Sequence, residues 1–344
     1  MILIDDIVKA HSVSVVGLEK NTGKTECLNY IIRNLPVEKR LFAVTSIGVD
    51  GETTDAVTGT SKPEIFLREG MLFSTSEKHY LQRHIFSELL DVSDESTPLG
   101  RVVTAKALGY GKVMLSGPST GKGLERWIKD MEHLGVGTAI IDGALSRLSS
   151  ASPSISEAMI LTTGAALSAS LPELVRKTVH TVGLIMSPVY SGALAGTLAG
   201  IGRGIWNISH DDALKAVGDG GSAFSVTSIK ANLAKGFRGV YIAGAVTDRL
   251  IDRIVSDGAG EGFVIIARDF TKVFMSPSRR AVLEKKGIRL ELLQASRLLA
   301  VCINPVSPNG MVLDSSRLRE ALSGEIPVPV YDLFKLDNLE SSRQ

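Results

Sequence analysis

The residues with the clearest chemistry lie near the start of the chain, in Gly17-Leu-Glu-Lys-Asn-Thr-Gly23-Lys24-Thr25. They follow a buried-strand run, Ser12 to Val16, and open a helix over Gly23 to Leu35. In that helix Leu28, Ile31, Ile32 and Leu35 fall at i, i+3, i+4 and i+7, the period of one apolar face. Backbone amides at such a helix start lack intrahelical acceptors and face the positive end of the dipole, so they suit phosphate oxygens. Gly23 lets the backbone come close, Lys24 supplies a point charge for β- and γ-phosphates, and the Thr25 hydroxyl can ligate Mg²⁺. The expected nucleotide-binding set is Gly17, Asn21, Thr22, Gly23, Lys24, Thr25 and Glu26. Five residues separate the two glycines, one more than in the strict G-x-x-x-x-G-K-[ST] pattern. The bland alternative is a glycine-containing turn with a chance Lys-Thr.

Carboxylates that could serve this loop stand at two strand ends. Ile47-Gly-Val-Asp50-Gly-Glu52 follows the second expected strand, and Ala139-Ile-Ile-Asp142-Gly143 is an apolar strand ending in an acid. Ligands bind at the carboxyl edge of such sheets, and an acid after such a strand can hold a metal-bound water, so Asp142 is expected to act with Lys24 in catalysis and with Thr25 in holding Mg²⁺. For Asp50 the same two roles are what the loop's resemblance to dethiobiotin-synthetase-like P-loop enzymes implies. Glu52 is a further candidate, and a turn or cap role is the alternative for each acid. Gly117-Pro-Ser-Thr-Gly121-Lys122-Gly123 imitates the first loop but has no hydroxyl for a metal, so a capped turn is the better reading. Asp248 and Arg249 can face a ligand or cap a helix, and prolines alone explain the turn at Asn304 to Pro308. The six histidines are scattered, and Cys27 and Cys302, without metal-ligand spacing, read as two small buried hydrophobes.

The elements that must position these groups alternate along the chain. A strand at Leu41 to Ile47 completes a βαβ unit. Hairpins are expected at Pro63 to Ser76 and at Arg101 to Leu115, with helix from Ser76 to Leu90 between them. A helix over Leu124 to Leu134 and a strand at Thr138 to Ile141 follow. Helical stretches from Ser154 to Lys177 and a strand at Thr181 to Met186 then close the first domain. Beyond Gly218 to Gly221 come strands at Gly239 to Ala243, Gly262 to Ala267 and Leu298 to Ile303, with helices at Thr247 to Ser256, Pro277 to Lys286 and Ser315 to Leu322. The predicted fold is α/β. Residues 1–185 form a P-loop NTPase-type, mostly parallel sheet with helices on both faces, 186–225 a junction, and 226–344 a second, smaller α/β domain.

Bulk properties set outer bounds. At 344 residues, two domains are expected. Lys plus Arg (38) nearly cancels Asp plus Glu (37), which gives no call for nucleic acid as a partner. No basic leader is visible at the N-terminus, so a cytoplasmic protein is expected. Thr181 to Gly202 is uncharged and long enough to span a bilayer. Its five glycines and Pro188 make it a packing segment instead, and no membrane partner is expected.

The longer loop resembles that of dethiobiotin synthetase and related P-loop enzymes, on Gly17, Gly23, Lys24 and Thr25. Longer stretches look like the KamB-type reactivase subunit of lysine 5,6-aminomutase. They are Gly17 to Glu26, Thr45 to Glu52, Lys62-Pro-Glu-Ile, Ser116-Gly-Pro-Ser119, Ile141 to Arg147, Pro153 to Glu157 and Thr163 to Ser168. The resemblance covers about half the chain well and the C-terminal half loosely. It implies an ATP-Mg²⁺-dependent ATPase (GTP not excluded) that helps a cobalamin- and PLP-dependent mutase of lysine degradation to exchange damaged cobalamin. Its implied partners are the mutase and a MutS-like companion ATPase. Two alternatives stay open: an ATP-dependent ligase or kinase acting on a small molecule, and a scaffold with a vestigial nucleotide site.

Overall fold

The structure, a computed structural model, describes residues 2–47, 65–143, 152–153, 155–217, 232–333 and 335. It divides into two compact units, Met1–Val179 with Arg297–Gln344, and His180–Ser296.

The first unit starts with α1 (Ile2–Ile7) and β1 (Ser12–Gly17), whose residues are all buried. Helix α2 (Lys24–Asn34) follows and buries Cys27, Leu28, Tyr30, Ile31 and Ile32, the stripe that its spacing predicts. Then come β2 (Phe42–Ser46), β3 (Ile65–Leu67), β4 (Leu72–Ser76), α3 (Glu77–Leu81), β5 (Ser87–Thr97), β6 (Gly100–Ala107) and β7 (Gly111–Val113). The run continues with α4 (Gly121–His133), β8 (Thr138–Asp142), β9 (Ala158–Gly164) and α5 (Leu171–Ile185), within which the division between units falls.

The second unit carries α6 (Ala195–Gly200), β10 (Ile205–Ile208), β11 (Leu214–Ala216), β12 (Gly239–Ile242), β13 (Val246–Thr247) and α7 (Asp248–Ser256). It continues with β14 (Val264–Ala267), β15 (Val273–Phe274), α8 (Pro277–Lys285) and β16 (Arg289–Leu292). Its sheet runs β11-β10-β12-β14-β16, with β12, β14 and β16 parallel and β10 and β11 antiparallel. The chain then returns to the first unit as β17 (Arg297–Asn304), α9 (Ser315–Glu325) and β18 (Val330–Asp332).

The large sheet has the order β18-β17-β9-β1-β8-β2-β4-β6-β5. Every neighbouring pair from β18 to β4 is parallel, and β6 and β5 are antiparallel at one edge. The chain is thus α/β with a large, mostly parallel sheet. Strand β1 lies near its centre, so the loop after it opens at the carboxyl edge between β9 and β8. One core cluster packs α1 and α2 against the sheet, and a second, around Leu124, Trp127 and Met131, packs α4 against it.

Several expectations need correction. Residues 297–344 do not belong to a C-terminal domain with 226–296. Leu298 to Ile303 are all buried, and such an apolar run needs neighbours on both sides, which β9 and β18 supply. Nor is 186–225 a junction, because α6, β10 and β11 are parts of the second unit. Within the expected helical stretch Ser154 to Lys177 lies β9, a run buried on both faces that periodicity cannot distinguish from helix. Thr181 to Met186 is not a strand; through Ile185 it is the end of α5, whose buried Leu174, Thr178, Val182 and Ile185 form a helical stripe. Neither expected hairpin exists: β3 pairs with β7, while β4 pairs with β2 and β6. Only Glu77–Leu81 of the expected helix Ser76 to Leu90 is helical, and β5 begins at Ser87. Among the described residues no helix is long and apolar enough to cross a membrane.

Candidate functional site

Parallel register brings the carboxyl ends of four strands together. Val15 lies opposite Asp142, Gly17 opposite Thr162, Thr162 opposite Cys302, and Gly164 opposite Asn304. From this edge the chain leaves β1 through Gly17 to Gly23 and enters α2 at Lys24.

The loop is bent into an open cradle. Asn21 has φ +62° and Gly23, the residue capping α2, has φ +90°. Alternating hand along the backbone turns successive amides to one side, the arrangement that forms anion nests. No side chain caps α2, and none of the amides from Asn21 to Glu26 donates to another group among the described residues. A side chain on either glycine would close the turn. A Cβ on Gly17 would stand 2.6 Å from Thr22 Oγ1, and one on Gly23 2.7 Å from Asn304 Cβ.

The cradle is held from beneath. Thr22 is buried; its hydroxyl donates to the Glu19 carbonyl at 2.8 Å and lies 3.2 Å from the Thr162 hydroxyl. The Leu18 amide donates to the Thr162 carbonyl at 2.9 Å. From the other side Asn304 Nδ2 donates to the Asn21 carbonyl at 3.3 Å, while the Asn304 carbonyl accepts from the Ala165 amide. Thr162 is a support of the loop that sequence reasoning missed, and Asn304 is one that it set aside as a proline-driven turn. Asn304 ends an apolar strand and Thr162 begins the polar end of another, a usable signal, but their strands' neighbours in the sheet are not legible.

Lys24 Nζ lies 2.9 Å from Asp142 Oδ1, with the two side chains 28% and 21% exposed. That oxygen is shielded from water and receives no aligned hydrogen bond among the described residues, so the contact is a charge pairing only. A pair at the solvent edge is exchangeable: a stronger anion can draw Lys24 away and leave the carboxylate beside the cradle. Thr25 is half-buried in the first turn of α2 and Glu26 is exposed there. Asp50 and Glu52 lie outside the described residues. Among the described residues no three His, Cys, Asp or Glu side chains gather to hold a metal. The oxygen types of Thr25 and Asp142, a hydroxyl and a carboxylate with a shielded oxygen that accepts no hydrogen bond among the described residues, are those that Mg²⁺ takes alongside waters and a substrate's phosphates.

On α2 and β17 respectively, Cys27 and Cys302 are both buried, and their side chains are close enough to influence each other. Both are free and buried, as the sequence predicts, and what the sequence does not show is that they are neighbours. The Cys302 contact, then burial, then the charge of Asp142 push the Cys27 thiol well above its ordinary range, so it is held as an inert thiol.

The imitation loop behaves as expected. The Thr120 side chain accepts from the Gly123 amide at 3.0 Å, and the Glu95 carboxylate packs against Gly123. Ser116, just before it, is buried in a hydroxyl cluster, with Oγ 2.7 Å from Ser76 Oγ and 2.6 Å from His79 Nδ1. In the second unit Thr247 caps α7, and Asp248 accepts from the Ser276 amide at 2.8 Å, which gives both a structural task. Comparison of the chain with known protein families, with curated proteins and with solved structures finds no match to any of them.

Proposed function

We propose that this chain is a P-loop nucleoside triphosphatase that holds the phosphates of ATP or GTP in the Gly17–Thr25 loop. The observation that carries the reading is the run of amides from Asn21 to Glu26, uncommitted among the described residues, at an uncapped helix start beside an ammonium group paired with an exchangeable carboxylate, Asp142. Those amides suit β- and γ-phosphate oxygens, and Lys24 exchanges Asp142 for the phosphates. Thr25 and Asp142 are then the oxygen donors for Mg²⁺, which when bound neutralises charge that develops on the transferred phosphoryl group. Asp142 also orients water at the cleft, and Asp50 is assigned by its sequence position to the same edge.

In this reading hydrolysis drives a change of shape, not the making of a small product. The resemblance to KamB-type proteins names the client, a cobalamin- and PLP-dependent lysine 5,6-aminomutase, and the companion, a MutS-like ATPase. The work available is limited by how differently the nucleotide-bound and free shapes bind that client. A ligase or kinase reading draws on Ser46, Ser116 and Gly117, polar or small residues near the same edge, with Ser46 opposite Asp142.

Calorimetry with ATP, GTP and magnesium tests the binding step, with saturable heat expected from at least one triphosphate. Absence of heat from both would falsify the nucleotide reading. Turnover assays separate the two uses. Slow hydrolysis accelerated by the mutase or its companion supports the reactivase, and turnover that requires a small acceptor supports the ligase.

A further inference from the structure

One edge of the large sheet is β5, an eleven-residue strand that among the described residues is paired on one side only, with β6, with register shifts between Leu89 and Asp91 and between Val92 and Ser96. Strand edges present unpaired amides and carbonyls to any chain that can lie alongside. Around this edge the surface is unusually apolar. Phe86 is 86% exposed, Leu81 80% and Tyr110 72%, and Leu89, Leu90 and Leu108 are also exposed. Of the twelve large apolar side chains exposed among the described residues, these six fall within residues 81–110. Phe86 and Leu108 are direct neighbours, because the Leu108 amide donates to the Phe86 carbonyl at 2.9 Å. An apolar patch beside an unpaired strand edge marks an interaction surface.

Charge selects the occupant. Glu88, Asp91 and Asp94 are exposed along β5, and none of them has an ion-pair partner among the described residues. Lys106 stands opposite Glu88 on β6 without pairing to it. The nearby cations are engaged elsewhere: Arg83 lies over the Tyr80 ring and donates to Ser87, and Lys112 lies over the Phe66 ring. A second copy adding through β5 would bring two sets of these carboxylates into one ladder, where like charges repel. An opposite row of Lys or Arg would find partners at each acid.

We infer that β5 is a docking strand for an extended, cationic segment of a partner protein. The segment adds to the sheet by backbone pairing, sets basic residues against Glu88, Asp91 and Asp94, and rests apolar residues on Phe86, Leu89 and Leu108. This is strand addition, in which main-chain bonds hold the segment and alternate side chains choose it. The inference does not depend on the nucleotide reading, since the surface shares no residue with the cradle.

The test uses the full chain and a fluorescent ten-residue peptide alternating Lys with Val. Controls are the same peptide with Glu for Lys, and one with Pro at two central positions. Saturable binding of the Lys peptide is expected, with slowed amide exchange across 87–97. Binding should weaken roughly tenfold or more in the Asp91→Lys/Asp94→Lys chain and with the Pro peptide. Both substitutions are at exposed sites, and an unchanged melting temperature confirms that the fold survives them. No binding, equal binding of the Glu or Pro peptide, or protection elsewhere than β5 would overturn the inference. So would a dimer of the chain that dissociates on Leu89→Lys, which would make a second copy the occupant.

Discussion

Two turns in the first unit carry a glycine, a lysine and a helix start, and they end differently. In the turn after β1 the capping residue is Gly23 in a left-handed conformation, and no side chain reaches back to the amides of α2. In the turn before α4 the capping residue is Thr120 in extended conformation, and its hydroxyl takes the Gly123 amide. The second turn even keeps a carboxylate of its own, Glu95, against Gly123. One helix start is left open and the other is filled from within the chain. In the proposed reading, a helix N-terminus becomes a ligand site through what is withheld from it, not through the Gly-Lys sequence that both turns share.

The largest expected effect comes from removing the two lysines in turn. Lys24→Ala should weaken triphosphate binding about a hundredfold, the scale of a lost hydrogen bond to a charged group, and should abolish hydrolysis. Lys122→Ala should leave both unchanged. Calorimetry and phosphate release on the two variants measure this, and equal losses would break the contrast between the turns. Next is Asp142→Asn, which removes the charge that pairs with Lys24. Lys24 is then free for phosphate without competition, so nucleotide binding should persist in the absence of magnesium. Turnover should fall by roughly 10²-fold, the size seen when one group that stabilises a transition state is lost. A variant that hydrolyses normally would remove Asp142 from the mechanism.

Gly23→Ala probes the conformation itself. At φ +90° an L-residue is strained by about 1–2 kcal/mol, and the added methyl meets Asn304. Either the loop flattens and its amides diverge, or Asn304 shifts and releases the Asn21 carbonyl. A roughly tenfold loss of affinity with a small fall in melting temperature is expected. Gly121→Ala, at a glycine without positive φ in the second turn, should do neither.

The contrast between the turns is also a measure of what sequence can show. The open loop is legible because strand, glycine, Lys-Thr and amphipathic helix follow one another without a gap, and each has a local physical signature. Asp142 is legible for the same reason, as an acid at the end of an apolar strand. The supports of the loop are not. Thr162 and Asn304 reach it only because β9 pairs with β1 and β17 with β9, and the Asn304–Asn21 bond joins residues 283 apart. The contact between Cys27 and Cys302 has the same origin. Strand order depends on which buried runs cover one another, and β17 and β18 return after a complete second unit. No local periodicity records that return, which is why residues 297–344 read as the tail of the later domain.

The smallest effect belongs to the filled turn. Thr120→Ala removes the side chain that takes the Gly123 amide, and loss of such a cap costs about 1 kcal/mol. A thermal melt should record a fall of a few degrees, with nucleotide binding unchanged because the cradle lies on another strand. The substitution also uncovers amides at the start of α4, and on amide count alone this turn would then resemble the open one. It should still gain no affinity for inorganic phosphate, because Glu95 already lies against Gly123 and would repel an arriving anion. If Thr120→Ala alone acquires phosphate binding, an open helix start suffices and the ammonium of Lys24 is secondary. If only Thr120→Ala/Glu95→Gln acquires it, the resident carboxylate is what separates the two turns.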